Sequence, residues 1–187
     1  MKKSNVLYPL ITLLICFQPL LFASEVQQIR DPDSGLSTWR IDNQGFRLEL
    51  TQLLPDYIRA IYSSHGFPSE SIEDIANYCV FGTIASNSSD TSLFYGVADW
   101  YAVTADGVKH TFKTKTQWLN EWRKMGIRYS WTILPTEQTF DIGDWSQGFT
   151  TIKLPREEPF DLIYSWKLEG KKYTGKIKNI RCAPINL

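Results

Sequence analysis

Period-two runs broken by turn signals recur from about residue 39 to residue 182, and this constrains the chain to a β architecture. The pattern is clearest late in the chain. Phe160, Leu162, Tyr164 and Trp166 alternate with Asp161, Ile163, Ser165 and Lys167, which puts the large apolar side chains on one face of a strand. Phe46, Leu48 and Leu50 alternate with Arg47, Glu49 and Thr51 in the same way. Further strands are predicted over 79–85, 93–103, 108–112, 128–134, 137–142, 149–154 and 172–182. The turns between them include Asn87-Ser88-Ser89-Asp90, Ala105-Asp106-Gly107 and Glu169-Gly170-Lys171. Short strands at this spacing, in a chain with seven tryptophans, predict a mostly β fold, an immunoglobulin-like β-sandwich. One domain over 39–187 accounts for them, preceded by a polar, flexible arm over 24–38.

Two stretches break the β pattern. Over about 55–78 the sequence predicts a short helical insertion. Pro55 suits a first helical turn, and Tyr57, Ile58, Ile61 and Tyr62 share a helical face up to Gly66. A second helix follows Pro68, with Glu70, Glu73 and Asp74 near its positive end and Ile72, Ile75 and Ala76 turned inward. Over about 115–125, Thr114 and Gln117 have capping-box spacing, opening a helix that carries Trp118, Leu119, Trp122 and Met125.

The N-terminus reads as a signal peptide over 1–23. Lys2 and Lys3 precede an apolar run from Leu7 to Phe22, and Ala23 offers a small residue for cleavage. The run is short for a membrane span and contains Pro9 and Pro19. Export to the periplasm or beyond is the expectation, with no membrane span after cleavage. Losing Lys2 and Lys3 takes the balance from 20 basic and 20 acidic residues to 18 and 20. A near-neutral charge argues against nucleic acid as a partner.

Cleavage would leave two cysteines, Cys79 and Cys182. In an oxidising compartment the expected outcome is a disulfide. Metal and redox motifs hold their cysteines a few residues apart, and these are about a hundred apart.

No catalytic motif stands out. A triad has no GxSxG elbow, and Ser63, Ser64 and His65 are consecutive, so on a helix they diverge. Glu70, Glu73 and Asp74, or Glu157 and Glu158, fit solvated charge as well as an acid/base pair. A copper-handling alternative would need His65, His110 and Met125 to meet, since nitrogen and sulfur donors suit that metal. No other cofactor is implied. The segment Asp144-Trp145-Ser146-Gln147-Gly148-Phe149, read as a loop, offers Trp145 and Phe149 to a sugar ring or a protein. Trp100 is a further binding candidate, as is Trp39. Lys172, Lys176 and Lys178 fit the protection of an exposed sheet edge.

Several motifs together, Leu54-Pro55-Asp56, Cys79-Val80-Phe81, Gly143-Asp144-Trp145 and Ile180-Arg181-Cys182-Ala183-Pro184, resemble a family of uncharacterised secreted bacterial proteins over most of residues 45–184. That resemblance implies a single periplasmic domain and carries no activity. The expectation is therefore an exported, non-enzymatic binding or accessory protein, with a periplasmic protein as its partner. The alternatives are the metal-handling role and an enzyme of undefined class.

Overall fold

The computed structural model describes residues 25–156 and 158–185; the expected signal peptide over 1–23 lies outside them. The first strands form where the alternation begins. β1 (Gln27–Arg30) pairs with β2 (Ser37–Asn43), and β2 with β3 (Phe46–Leu53). β1 replaces part of the arm expected over 24–38. Its turn is built by Asp31, whose carboxylate accepts the backbone N–H groups of Asp33 and Ser34 at 2.9 and 2.8 Å.

The helical insertion comes next, as α1 (Pro55–Ser64) and α2 (Ser69–Ala76). α1 buries Ile58 and Tyr62 but leaves Tyr57 exposed, while α2 buries Ile72, Ile75 and Ala76. β4 (Cys79–Asn87) follows. The single strand expected over 93–103 is two: β5 (Leu93–Gly96) and β6 (Tyr101–Thr104), separated by a 3₁₀ turn at Val97–Asp99. The break has a packing cause. It lets β10 (Phe160–Leu168) pair with β6 through Phe160–Ile163 and with β5 through Trp166–Leu168.

β7 (Lys109–Lys113) leads into α3 (Lys115–Lys124). The capping box is present: the Thr114 hydroxyl accepts the Gln117 backbone N–H, and the Gln117 side chain accepts the Thr114 N–H at 2.8 Å. No strand forms over 128–134; Ile133 makes one parallel bridge to Phe149. β8 (Glu137–Phe140), β9 (Trp145–Ile152) and β11 (Lys171–Ile180) complete the chain.

Among the described residues, ten strands follow one antiparallel path, β1-β2-β3-β4-β9-β7-β6-β10-β5-β8, and β11 lies on the free side of β10. β7 is the corner. Its residues 109–111 pair with β6, and Phe112 and Lys113 pair with Ile152 and Thr151 of β9. The two halves fold face to face as a β-sandwich over one aromatic core containing Trp39, Phe46, Phe81, Trp100, Tyr164 and Trp166. A continuous path through β7 differs from the two separate sheets of an immunoglobulin domain, so the finer immunoglobulin-like assignment gains no support. A second cluster, with Ile58, Tyr62, Trp118 and Trp122, packs the helices against Val80 on the opposite face of β4.

Cys79, at the start of β4, is bonded to Cys182, just past β11, with a Cα–Cα distance of 5.0 Å. The buried Gln52 reinforces this end: its amide donates to the carbonyls of Arg181 and Cys182 at 2.9 and 3.1 Å, and its oxygen accepts the Ser37 N–H at 2.7 Å. A 103-residue separation implies about 4–5 kcal/mol in the chain-entropy view. The double variant Cys79→Ala/Cys182→Ala should lose roughly that amount in urea unfolding while keeping native circular dichroism; a loss under about 1 kcal/mol would show that the bond constrains little.

Candidate outer-face binding site

The inner face of β3, β4 and β9 packs in the sandwich, so their other side chains point outward. Register places them in rows. Arg40, Glu49, Ile84 and Gln147 form one row; Asp42, Arg47, Ser86 and Trp145 form the next; Thr38, Thr51, Gly82 and Phe149 form a third. The helices cover the Val80 end of this face and leave the Ile84–Ser86 end open.

Two tryptophans frame the open end. Trp145 is 60 % exposed and Trp131 is 83 % exposed, whereas Trp39, Trp100, Trp118, Trp122 and Trp166 are all buried. Trp131, Gln147, Phe149, Gly82 and Ile84 line a cleft of about 410 Å³. Trp145, Ile142, Arg47 and Ile84 line a neighbouring one of about 500 Å³. Ile84 lines both, so the two clefts adjoin at its side chain.

Each tryptophan is held by its local backbone. The segment carrying Trp131 runs beside β9: Phe149 N–H donates to Thr132 O at 2.6 Å, and Leu134 N–H to Phe149 O at 3.0 Å. Gly148 permits that approach, because a Cβ there would collide with the Ile133–Leu134 backbone. Tyr62 of α1 shares a 2.6 Å hydroxyl bond with Thr132. Burial drives the Tyr62 hydroxyl pKa well above its ordinary value, so it stays protonated for this bond.

Trp145 begins β9 and does not lie on the loop expected from sequence. The turn before it hangs on the buried Asn87, whose amide donates to the carbonyls of Thr91 and Asp141 at 2.7 and 3.1 Å. Asn87 N–H also donates to Asp144 O at 2.9 Å.

The charges on this face are paired. Arg40 meets Glu49 at 2.5 Å and Arg47 meets Asp42 at 2.6 Å. What remains for recognition is apolar and aromatic surface with isolated amide and hydroxyl groups.

Of the other candidates, Phe149 belongs to the lining of the site and the rest fall elsewhere. Phe149 is half-buried beneath the groove. Trp100 is in the core, its indole N–H donating to Ser165 O at 3.1 Å, so it is no surface binding residue; Trp39 is in the core too. His65 is exposed at the end of α1 and lies over Tyr129, ring centroids 4.4 Å apart. The Met125 sulfur accepts the Ser71 hydroxyl at 3.4 Å, and His110 pairs across the strands with Ala102. Among the described residues no group of three His, Cys, Asp or Glu could hold a metal ion.

Trp131 carries half of the site and was not a sequence candidate. Ile127, Tyr129, Trp131 and Ile133 alternate with Arg128, Ser130 and Thr132, so the segment imitates a strand. Only Pro135 marks its end as a loop.

No protein-family model matches the chain, and a comparison with curated proteins finds no match.

The site predicts its own spectroscopy. Trp131→Phe and Trp145→Phe should each remove acrylamide-quenchable fluorescence and change stability by no more than about 0.5 kcal/mol, as surface changes do. Trp100→Ala should leave quenching intact and destabilise by about 3–5 kcal/mol.

Proposed function

We propose that this chain is an exported, non-enzymatic binding protein that engages a protein partner through the groove between Trp131 and Trp145. The observation that carries the reading is the sorting of tryptophans: five are buried, and the two in water stand on one face with Ile84 and Ile142 between and beside them. Exposed apolar clusters with polar rims mark interaction surfaces, and tryptophan is enriched among the residues that dominate binding energy. A protein partner suits this face better than a sugar. Its arginines and carboxylates are already paired with each other, which leaves few groups to bond ring hydroxyls. Export rests on the N-terminal Lys2-Lys3 and apolar run and on the disulfide, a bond that persists in oxidising compartments.

A photo-crosslinking residue at Gln147, in cells that make the protein natively, tests this. One dominant protein adduct is expected, lost when Trp145→Ala is added. The same probe at Thr174, exposed on β11, should give none. Equal labelling at both positions, or an adduct indifferent to Trp145, would contradict the reading.

A further inference from the structure

The strand that carries Trp145 uses one of its edges fully and the other only in part. β9 pairs with β4 through every residue from Trp145 to Ile152. Its other edge is occupied at the far end, where Thr151 and Ile152 meet Lys113 and Phe112 of β7. It is occupied again at Phe149, whose N–H donates to Thr132 O and whose carbonyl accepts the Leu134 N–H. In a strand the backbone groups of every second residue point to the same edge. Phe149 points away from β4, so Gln147 and Trp145 do as well. Their N–H and C=O groups on that edge have no hydrogen-bond partner among the described residues.

These unpaired groups lie between the two exposed tryptophans. Trp145 is the first residue of the edge, and Trp131 adjoins Thr132 at its Phe149 end. The edge already accepts one extended segment, since Ile133 bridges to Phe149 in the parallel sense. The chain before it turns away: Trp131 and Tyr129 form no bridge with Gln147 or Trp145. β11 also has no strand beyond it, but it carries Lys172, Lys176 and Lys178, and lysine opposes the addition of another strand. Trp145, Ser146 and Gln147 carry no charge.

We propose that the partner adds a short extended segment to the open edge of β9, bonding through its backbone to Trp145 and Gln147. This rests on the groove being the binding surface and adds the form the partner takes. The open edge covers three residues, about 10 Å. Partner side chains two residues apart fall on the outer face, between Trp131 and Trp145. They are apolar, because the charges of this face are already paired with each other. Backbone bonds give such a contact its affinity, and the flanking rings give it its side-chain preference.

Hydrogen exchange of the free protein tests the edge. The amides of Trp145 and Gln147 should exchange at least about tenfold faster than those of Ser146 and Gly148, which face β4. A photo-crosslinking residue at Ile142, exposed beside Trp145, tests the contact in cells that make the protein natively. Gln147→Pro removes an edge N–H and sets a ring in its place, while the bonds to β4 remain. It should cut the adduct at least about tenfold with native circular dichroism, and by more than Gln147→Ala, which keeps the N–H. An adduct unchanged by Gln147→Pro, or a Gln147 amide as protected as that of Gly148, would overturn strand addition. If Trp145→Ala then still removes the adduct, the groove stands without it. If neither substitution matters, or the parent protein gives no adduct, both readings fail.

Discussion

Everything in this molecule follows from a sheet that is covered fully on one face and only in part on the other. The inner face of β3, β4 and β9 closes on β5, β6, β10 and β11, where tryptophans, tyrosines and phenylalanines interlock; Phe46 alone packs against Tyr95, Trp100, Tyr164 and Trp166. The outer face depends on three helices of ten, eight and ten residues. At 1.5 Å per residue none exceeds about 15 Å, whereas the nine residues of β4 extend about 30 Å. The helices lie over the Val80 end. Ile84, Ser86 and Gln147 have no equivalent cover, and the two exposed tryptophans stand beside them.

The ends of β4 are accordingly different. At Cys79 the chain is closed by a covalent bond, by Gln52 reaching the last residues of the domain, and by Arg156 bridging the end of α2 to Ala183. At Asn87 the structure is a scaffold of buried amide bonds that supports the turn before Trp145 and leaves the ring in water. One end is built for rigidity; the other presents aromatic surface whose own charges are paired.

Much of the fold was legible in the sequence because the signals were local. The alternation in Phe160–Lys167, the capping box at Thr114 and the apolar face of α2 are set within a few residues, and each is present as expected, whereas α1 turns Ile58 and Tyr62 inward but leaves Tyr57 exposed. The Cys79–Cys182 pairing followed from there being two cysteines left to pair. What was not legible depends on distant neighbours. The split of 93–103 exists because β10 needs two partners. Ile127–Ile133 alternates like a strand, but only Phe149, on the edge of β9 away from β4, bonds to this segment, through Thr132 and Leu134. Trp100 and Trp145 are the same residue type between polar neighbours, and only the closure of the sandwich buries one and exposes the other. Arg30, Arg156 and Arg181 line one cleft, a convergence that no spacing rule encodes.

Trp131 and Trp145 are proposed to form one recognition surface. Fluorine NMR of protein labelled with 5-fluorotryptophan tests it most directly, because each of the seven tryptophans reports separately. In an extract of the cells that make it, the resonances of Trp131 and Trp145 should broaden or shift while the five buried ones keep their positions. If those two stay sharp and unshifted while buried resonances move, the groove is not the binding surface and the account fails.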